Sequence, residues 1–514
     1  MLQEACNASG ARITTISELA THENADTAAD TSELGEVYAK DSAMILYTSG
    51  STGTPKGILL PHEGIRNWVE AALHLFDMGS DEIFLQQTSC SFDMCFVQIF
   101  LALCSGGLLC LVPTRSSADA TFLTETIATE GITFTGATPS EYSNWYRYGD
   151  RKALSRSSPH WRTAMTGGEA TTNATLEIFA SIAGSGGYGN TPRLFNVYGP
   201  TETTVGATGT ELSYLGDFKS AKISVGKPLA GYLVYVMDER LQPVPVGIQG
   251  EIVIGGVGVA RGYLKNQNIS SERFVSNPLA PEDYRSRGWT TMHRTGDVGR
   301  WCEDGTLLVE GRKSGDTQIK LRGLRIDLAE IENSMVKESQ NALAQVVVSV
   351  RYSTRPSTQS NEGFLVAHAK FRPNVFSSRG EQQAFLNEIL ARLSLPQYMR
   401  PAAVFPVDDF PMMISGKLDR KAVAQLPLEQ ERSSSLANPQ SVTNEPLTKT
   451  EARLKRLWEL CTSCEISKQY SIESNTDFFH VGGNSTLLLK LQHDIRKEFG
   501  VSLTLLDLFQ HTTL

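Results

Sequence analysis

The feature that most constrains this chain is the segment ILYTSGSTGTPKG, residues 45–57. Three apolar residues open it, as in a buried strand, and a run of Ser, Thr and Gly follows until Pro55, Lys56 and Gly57 close it. Small residues let a backbone approach a ligand closely, hydroxyl and amide groups surround phosphate oxygens, and a lysine adds positive charge. A flexible linker is the alternative, although linkers rarely follow an apolar strand. The segment therefore predicts a loop that holds a polyphosphate.

The composition is that of an ordinary globular protein. The chain has 514 residues, 40% hydrophobic and 20% charged, with a formal net charge of −9. No basic run of useful length offsets that charge, so we expect no nucleic-acid partner. Neither a leader pattern nor a run of 18 apolar residues occurs, which predicts no membrane contact and a cytoplasmic location. Its eight scattered cysteines are expected to be reduced.

Strand and helix patterns alternate after the loop. Apolar spacing predicts helices at 65–76 and 92–103, and apolar runs predict strands at 108–112, 132–139 and 161–170. Such alternation is typical of an α/β fold with a largely parallel sheet, whose ligands bind at the carboxyl ends of the strands.

A second polar cluster occurs in RLFNVYGPTETT, residues 193–204, directly after a strand-like run. Tyr198 suits a nucleotide base, Thr201 a phosphate, and Glu202 a magnesium ion, because Mg²⁺ prefers carboxylate and phosphate oxygens. This cluster predicts that a nucleotide and its metal ion bind beside the first loop.

A third polar cluster lies in HRTGDVGRWCEDGTLLVEGR, residues 293–312, where the Asp-Gly pair at 304–305 predicts a hairpin. Asp297 suits a ribose, since one carboxylate accepts hydrogen bonds from both hydroxyls, and Arg312 adds a donor. Alone, these two residues are equally well explained as a turn acid and a surface arginine.

Together the three clusters resemble the signatures of the adenylate-forming enzymes, a superfamily that includes acyl-CoA ligases, luciferases and the adenylation domains of nonribosomal peptide synthetases. The resemblance implies an α/β fold of the adenylate-forming (ANL) type. A large adenylation subdomain with mostly parallel sheets would span 1–316, and a small α+β subdomain would span 317–426 and rotate about Asp316. Lys417, which by itself suggests only a solvated lysine in a Gly turn, is implied to neutralise charge on the substrate carboxylate and the α-phosphate.

The resemblance also implies the residues that bind ATP and Mg²⁺. Lys56, Glu202 and Lys417 would be catalytic, with Glu202 also the metal ligand. The nucleotide would contact Thr48, Ser49, Gly50, Ser51, Thr52, Gly53, Gly168, Glu169, Asn196, Tyr198, Gly199, Thr201, Asp297 and Arg312.

The C-terminal part carries a different signature. Residues 427–447 are rich in Pro, Ser, Asn and Gln and read as a linker, and a capping-box pattern then opens a helix at 448. In DFFHVGGNSTLLLKL, residues 477–491, Ser485 follows two glycines and could be a simple N-cap. The FFxxGGxS context resembles the attachment site of carrier (thiolation) domains. It implies a helical-bundle carrier domain at 448–514, with 4′-phosphopantetheine on Ser485 and a phosphopantetheinyl transferase as partner.

The order of the two parts indicates the branch of the superfamily. An adenylation domain followed at once by a carrier domain resembles a nonribosomal peptide synthetase. SFDMCFVQIF (91–100), ATPSEY (137–142) and GRKSGDTQIKLRG (311–323) resemble the fungal hybrid polyketide synthase–nonribosomal peptide synthetases. The resemblance implies adenylation of an α-amino acid and its transfer as a thioester to the carrier, with neighbouring condensation or release domains as partners.

Asp93 is the clearest indication of substrate class. An acid directly after Phe92 matches the family position that pairs with a substrate α-ammonium group, and a buried carboxylate needs such a partner. The other implied pocket residues are mostly apolar or glycine, which predicts an apolar side chain on the substrate. They are Met94, Val97, Gly136, Met165, Gly167, Val197, Val205 and Gly206.

Two alternatives remain open. The loop begins only 45 residues into the chain, and the carrier pattern stops at Leu514, so the sequence is expected to be truncated at both ends. A truncated chain would be a catalytically incomplete remnant that binds nucleotide or serves as a carrier module. A free acyl- or aryl-CoA ligase is the second alternative. Asp93 and Ser485 argue against it.

Overall fold

We analysed a computed structural model of the chain. It describes residues 36–49, 55–157, 160–185, 191–216, 223–313, 317–321, 324–352, 363–373, 375–376, 378–412, 418–426, 447–461, 472–474, 476, 478, 483, 485–501, 503, 507–508 and 511–514. The chain divides into two compact units, Met1–Asp41 and Ser42–Leu514. In the first unit, a turn at 38–41 is closed by a 2.9 Å hydrogen bond from the Asp41 N–H to the Tyr38 carbonyl. The second unit contains all the elements below.

A β-hairpin precedes the first helix. Strand β1 (Ser42–Thr48) pairs antiparallel with β2 (Lys56–Pro61), and helix α1 (His62–Phe76) follows directly. The expectation of a buried strand is wrong in part. Leu46 is buried, but Ile45 is 44% and Tyr47 55% exposed, because a two-stranded hairpin covers only one of its faces.

A largely parallel sheet of seven strands follows in the described residues. Its strands are β3 (Ile83–Gln86), β4 (Leu108–Leu111), β5 (Phe134–Ala137), β6 (Thr163–Gly167), β7 (Arg193–Tyr198), β8 (Thr208–Leu212) and β9 (Lys227–Pro228), in the order β4-β3-β5-β6-β7-β8-β9. The connecting helices are α2 (Asp93–Ser105), α3 (Ala120–Thr129), α4 (Pro139–Tyr148), α5 (Arg151–Ser157) and α6 (Asn173–Ser185). Strands β3 to β7 pair in parallel, whereas β8 and β9 join antiparallel. The predicted parallel sheet is therefore confirmed.

Both faces of this sheet are covered. Phe84 and Phe195 pack into one hydrophobic cluster with α1 and α2, whereas their neighbours Leu85 and Leu194 pack into another with α3, α4 and α6. Side chains alternate across a strand, so adjacent apolar residues reach opposite cores. The polar turns after β6 and β7 are left at one edge of the sheet.

A second, antiparallel sheet packs on the α1 side. It contains β10 (Tyr232–Met237), β11 (Gly250–Gly256), β12 (Phe274–Ser276), β13 (Thr291–Trp301) and β14 (Leu307–Arg312), with α7 (Gln267–Arg273) and α8 (Glu282–Ser286) in its connections. Gly305, at φ +76°, forms the turn between β13 and β14. The predicted hairpin is confirmed.

A smaller α+β unit begins with the hairpin of β15 (Gln318–Leu321) and β16 (Leu324–Asp327). It continues through α9 (Leu328–Glu338), β17 (Leu343–Tyr352), β18 (Gly363–Phe371), α10 (Arg379–Arg392), β19 (Ala403–Val407) and α11 (Arg420–Val423). Strand β18 pairs antiparallel with β17 and parallel with β19. Ile331, Val348 and Leu386 belong to its separate core, which supports the prediction of a distinct α+β unit.

The last described elements are two helices, α12 (Lys449–Cys461) and α13 (Ser485–Phe499). The predicted capping box is present, because the Thr448 N–H donates to Glu451 and the Glu451 N–H donates to Thr448 Oγ1 at 3.2 Å. Trp458 and Phe478 meet edge to face at 5.1 Å between centroids. Among the described residues, every helix is too short or too polar to cross a bilayer.

Candidate functional site

The hairpin β1–β2 brings three of the implied nucleotide residues to the edge of the site. Thr48 Oγ1 is buried without a hydrogen-bond partner in the described chain, and Ser49 Oγ donates to the Arg325 carbonyl at 3.1 Å. Lys56 is half-buried, its Nζ lies 5.8 Å from the centroid of the Tyr263 ring, and burial lowers its pKa. Gly50, Ser51, Thr52 and Gly53 lie outside the described residues.

The three residues assigned to base and ribose lie together. Asp297 and Arg312 are register partners on β13 and β14, and Arg312 Nη1 donates to Asp297 Oδ1 at 2.8 Å. Tyr198, at the end of β7, donates its hydroxyl to Asp297 Oδ2 at 2.7 Å. Burial and the neighbouring Asp297 raise the pKa of Tyr198, which keeps it a neutral donor. Each carboxylate oxygen has a second lone pair, so Asp297 can still accept from a ribose.

The turns after β6 and β7 hold the other implied residues. Ser140 donates its hydroxyl to Glu169 Oε2 at 2.7 Å, and Asn196 Oδ1 accepts from Thr171 at 3.0 Å. Gly168 has φ +78°, which favours glycine. A Cβ on Gly199 would lie 2.7 Å from the Gly206 Cα, so only glycine lets these two turns pack together.

Glu202 is fully buried and bound by two residues. Arg325 donates to both of its carboxylate oxygens, at 2.8 and 3.1 Å, and the Tyr263 hydroxyl donates to Oε1 at 2.8 Å. Burial opposes the charge on Glu202, but the Arg325 guanidinium outweighs it and holds the pKa of Glu202 well below its ordinary value. Glu202 is therefore a carboxylate whose charge is already compensated.

This arrangement of Glu202 does not fit the predicted magnesium ion. Oε1 accepts two hydrogen bonds and Oε2 one, and the side chain has no exposed surface. A divalent cation would also be held directly against the Arg325 guanidinium, which like-charge repulsion opposes. Glu202 becomes available to a metal only when Arg325 withdraws, so its role as metal ligand stays a prediction that this conformation does not meet.

The hairpin β15–β16 supplies site residues that the sequence did not single out. Besides Arg325, it carries Gln318, whose Oε1 accepts from Arg312 and from Arg325, each at 3.0 Å. Lys320 Nζ lies 5.8 Å from the centroid of the Tyr198 ring. The hairpin therefore lies against the nucleotide residues.

Asp93, the first residue of helix α2, contacts the turn that follows β7. Its Oδ2 accepts from the Thr201 hydroxyl at 2.8 Å. Burial raises the pKa of Asp93, and the hydrogen bonds from Thr201 and the Met94 backbone oppose that rise. Asp93 is thus joined through Thr201 to the turn that follows β7.

Most of the remaining pocket residues are packed tightly together. A Cβ on Gly136 would lie 3.3 Å from Met94 Sδ, and one on Gly206 only 2.4 Å from Val197 Cγ1. Met165 is fully buried in the same cluster as Val197. Gly167 lies at the end of β6, where a Cβ would meet the Val197 carbonyl at 2.7 Å.

Val97 and Val205 line a small apolar cavity beside this group. Its other lining residues come from β1, β2, α1, α2 and the turn after β7: Met44, Leu60, Ile65, Trp68, Val69, Phe96, Phe100 and Thr204. Trp68 Nε1 is buried and unpaired among the described residues. The apolar spacing of α1 predicted only a helix, so this wall of the cavity was missed.

Glu251, on β11, is a second missed residue. Its side chain is 1% exposed, and it accepts from Arg294 Nη2 at 2.8 Å, Lys313 Nζ at 2.8 Å and the Gly296 N–H at 3.2 Å. Gly296 precedes Asp297, and Lys313 follows Arg312, so Glu251 fixes both ends of the ribose pair. An acid directly before the apolar run at 252–254 was the available signal.

We expect Glu251→Ala to lower the free energy of unfolding by about 3 kcal/mol, because it leaves two cations and one N–H without their buried acceptor. Arg294 and Lys313 lower the pKa of Glu251 against the effect of burial. Its stabilisation is therefore present at neutral pH and is lost as the pH falls through that lowered pKa.

Urea denaturation at pH 7 and at acid pH measures this effect. Glu310→Ala is the matched control, since Glu310 pairs with Arg300 at 3.2 Å at an exposed position of β14 and its loss should cost about 1 kcal/mol or less. Equal losses for the two variants would contradict the role given to Glu251.

Helix α13 contacts the helices that cover the seven-stranded sheet. Gln492 Nε2 donates to Asp119 Oδ2 at 3.2 Å, and the His493 ring lies 6.2 Å from the Tyr148 ring between centroids. Ser485 is the first residue of α13, as predicted, and its side chain lies outside the described part. Gly483 packs against Phe478, where a Cβ would lie 2.3 Å from the carbonyl oxygen. Asp316 and Lys417 also lie outside the described residues.

Comparison with known proteins identifies both parts. Residues 3–264 match the family of AMP-binding enzymes, and residues 454–514 match the phosphopantetheine attachment site. The hybrid PKS-NRPS synthetase mycA of Thermothelomyces thermophilus is 41% identical over 92% of this chain. The polyketide synthase-nonribosomal peptide synthetase ffsA of Aspergillus flavipes is also 41% identical over 92%. The chain spans 11% of the length of each of these relatives.

Solved structures give the same fold. An NRPS protein containing adenylation and PCP domains, solved with a vinylsulfonamide inhibitor, matches with a TM-score of 0.70 at 24% identity. The match covers 99% of this chain and 79% of that one. The predicted fold class is thereby confirmed, and the two family matches imply ATP with Mg²⁺ and 4′-phosphopantetheine as cofactors. The chain belongs to the AMP-binding enzymes, carries a phosphopantetheine attachment domain, and has fungal hybrid PKS-NRPS synthetases as its relatives.

Proposed function

We propose that this chain activates an α-amino acid with ATP as an aminoacyl adenylate and then transfers the aminoacyl group, as a thioester, to the phosphopantetheine arm on Ser485. The observation that supports this most is the convergence of Tyr198, Asp297, Thr201 and Asp93 at one edge of the central sheet. Tyr198, which contacts the proposed ribose acceptor Asp297, and Thr201, which contacts Asp93, lie three residues apart at the end of β7.

The nucleotide half of the site binds and orients. Asp297 accepts from the ribose hydroxyls while Arg312 and Tyr198 hold its carboxylate in place. Ser49, Lys56 and the loop between them surround the phosphates, and Lys56 supplies positive charge where charge develops on the phosphoryl oxygens. Lys417 is proposed to stabilise the same charge from the small unit.

The amino-acid half selects the substrate by charge. Asp93 pairs with the α-ammonium group, and its raised pKa records how poorly that carboxylate is solvated without a partner. The apolar residues around Val97, Val205 and Gly136 favour an apolar side chain. Close positioning of the carboxylate and the α-phosphate is then the main contribution of the protein to the first reaction.

The arrangement described here suits the second half-reaction. Arg325 is hydrogen-bonded to Glu202, and Lys320 lies over the Tyr198 ring. Helix α13 contacts the large subdomain through Gln492 and His493. Pantetheine supplies the thiol nucleophile when attached to Ser485. The chain itself holds the carrier helix against α4 and keeps the hairpin over the site, which excludes water from the adenylate.

The domain plan and partners complete the proposal. The large and small subdomains span 1–316 and 317–426, the small one rotates about Asp316, and the linker at 427–447 leads to the carrier at 448–514. A phosphopantetheinyl transferase modifies Ser485, and condensation or release domains use the loaded amino acid in the biosynthesis of a polyketide–peptide product. The relatives named above, of which this chain spans a small part, support these assignments.

Amino-acid-dependent exchange of pyrophosphate into ATP tests the first reaction. We expect exchange with one or a few α-amino acids that have apolar side chains, across a panel that includes fatty and aryl acids. Mass spectrometry after treatment with a phosphopantetheinyl transferase and coenzyme A tests Ser485. Folded protein that exchanges with no acid would refute the enzyme function, whereas exchange with fatty or aryl acids alone would identify an acyl- or aryl-CoA ligase.

A further inference from the structure

Two cysteine sulfur atoms lie beside each other at the start of helix α2. Cys90 is exposed in the turn before the helix, Cys95 is buried in its first turn, and their Sγ atoms are 3.6 Å apart. Both are free thiols, and Gln86 Nε2 also donates to Cys95 Sγ at 3.3 Å. This pair has no part in the adenylation or thioester steps.

The two sulfur atoms are in van der Waals contact, with nothing between them. A disulfide has an S–S length of about 2.05 Å, so the sulfurs must approach by about 1.5 Å. A short turn joins them, closed by hydrogen bonds from the Phe92 N–H to the Ser89 carbonyl at 3.0 Å and from the Cys95 N–H to the Phe92 carbonyl at 3.1 Å. Rotation of the exposed Cys90 side chain and a small shift of this turn supply the approach.

We propose that Cys90 and Cys95 are a thiol modification site, at which a hydroperoxide converts the pair to an intrachain disulfide. Hydrogen peroxide is reduced to water as the Cys90 thiol becomes a sulfenic acid. The Cys95 sulfur then attacks the Cys90 sulfur, the S–S bond forms, and the hydroxyl leaves with the Cys95 proton as a second water. Two thiols are oxidised, and one peroxide is consumed.

The two cysteines have different roles in these two chemical steps. Cys90 is reached by the oxidant because it is exposed, whereas Cys95 is fully buried. Burial and the adjacent Cys90 sulfur raise the pKa of Cys95 to about 12, so Cys95 does not react with the peroxide itself. Its contact with the Cys90 sulfur, at 3.6 Å, makes it the thiol that resolves the sulfenic acid. Because only Cys90 of the pair is exposed, Cys90 is oxidised first and Cys95 reacts second.

The disulfide closes a loop around the residues that select the substrate. Asp93 and Met94 lie between the two cysteines, and Asp93 is held by Thr201 at 2.8 Å. Drawing the sulfurs together shifts the first turn of α2 relative to the turn after β7. We therefore expect oxidation to lower kcat/KM for the amino acid at least tenfold, an effect that rests on the proposed function, whereas formation of the disulfide does not.

Cleavage at Met94 tests the pair directly, because it separates Cys90 from Cys95. The full chain is treated with hydrogen peroxide, remaining thiols are alkylated, and cyanogen bromide then produces the pieces 79–94 and 95–165. The experiment uses a variant with Cys104→Ser and Cys110→Ser, which leaves Cys95 as the single cysteine of the second piece. We expect the two pieces to stay joined until a reductant is added.

The outcomes separate the site from the function. Pieces that part without reductant after peroxide treatment would overturn the proposed pair, as would pieces that stay joined after Cys95→Ser is added. Exchange activity should fall on oxidation and return with dithiothreitol, and Cys90→Ser should make it insensitive to peroxide. Undiminished exchange in fully joined protein would overturn the effect on Asp93. Joined pieces in a protein that never exchanges would contradict the proposed function and leave the thiol pair standing.

Discussion

Replacing Arg325 with methionine should slow thioester formation about a hundredfold while amino-acid-dependent pyrophosphate exchange stays within about threefold of the parent protein. Arg325 is the partner of the buried Glu202 in this conformation, in which the hairpin β15–β16 covers the site. Removing one partner of a buried ion pair costs about 3–5 kcal/mol, because the remaining charge is left without compensation. A hundredfold change corresponds to about 2.7 kcal/mol, which lies within what that loss supplies.

The effect is selective because only one conformation contains the pair. Under the proposed function Glu202 would hold Mg²⁺ in the first reaction, which it can do only without Arg325, so that reaction should gain nothing from the pair. Single-turnover loading of the holo carrier with a preformed aminoacyl adenylate measures the second reaction, and exchange measures the first. Arg325→Lys keeps the charge without the bidentate geometry and should recover part of the loading rate.

Arg420→Met is the matched control for this prediction. Arg420 makes the same bidentate contact with Glu332, at 2.7 and 2.8 Å, inside the small unit and away from the nucleotide residues. Its loss should lower stability without favouring one half-reaction over the other. If Arg325→Met and Arg420→Met reduce both reactions in the same proportion, the Arg325–Glu202 pair is a structural contact and the assigned role is wrong.

The contrast between Asp297 and Arg325 explains how much of this site the sequence predicts. Asp297 and Arg312 lie on one hairpin, so an Asp-Gly turn signal and strand pairing bring them within one position of each other, and a bulge between Val298 and Gly299 completes the register. Glu202 and Arg325 are 123 residues apart in the sequence. They meet only because the hairpin β15–β16 packs against the turn that follows β7. Nothing local to either residue specifies that packing.

Helix α1 shows a second limit. Its apolar spacing predicts a helix correctly, and Trp68 and Val69 are buried as that spacing implies. A core face and a cavity wall have the same periodicity, however, because both require apolar residues every three or four positions. The resemblance implied pocket residues on α2 and at the strand ends, and it did not include the α1 residues that line the same cavity.

Replacing Asp93 with asparagine should lower kcat/KM for the amino acid at least a hundredfold, chiefly through KM. The carboxylate is poorly solvated and joined to Thr201 at 2.8 Å, so an α-ammonium group gains a charge-assisted partner there that water replaces poorly. Asparagine keeps the shape and an acceptor oxygen but removes the charge. A hundredfold loss is about 2.7 kcal/mol, within the 2–5 kcal/mol expected for truncating a buried charged pair.

The pH dependence of the parent protein gives the same prediction a second test. Burial raises the pKa of Asp93, so the carboxylate is protonated, and its attraction for the ammonium group lost, at a higher pH than for an ordinary aspartate. The kcat/KM for the amino acid should fall as the pH drops through that raised pKa, and Asp93→Asn should abolish this acid limb.

A substrate that lacks the ammonium group serves as the control within the same protein. The des-amino analogue of the preferred amino acid has no charge for Asp93 to bind, so the parent should use it poorly. Asp93→Asn should leave its kcat/KM unchanged or improve it, because the neutral amide costs less to desolvate than the carboxylate. If the variant loses as much with the analogue as with the amino acid, Asp93 supports the fold of α2 and does not read the substrate. A loss confined to the amino acid identifies Asp93 as the group that makes this site specific for α-amino acids.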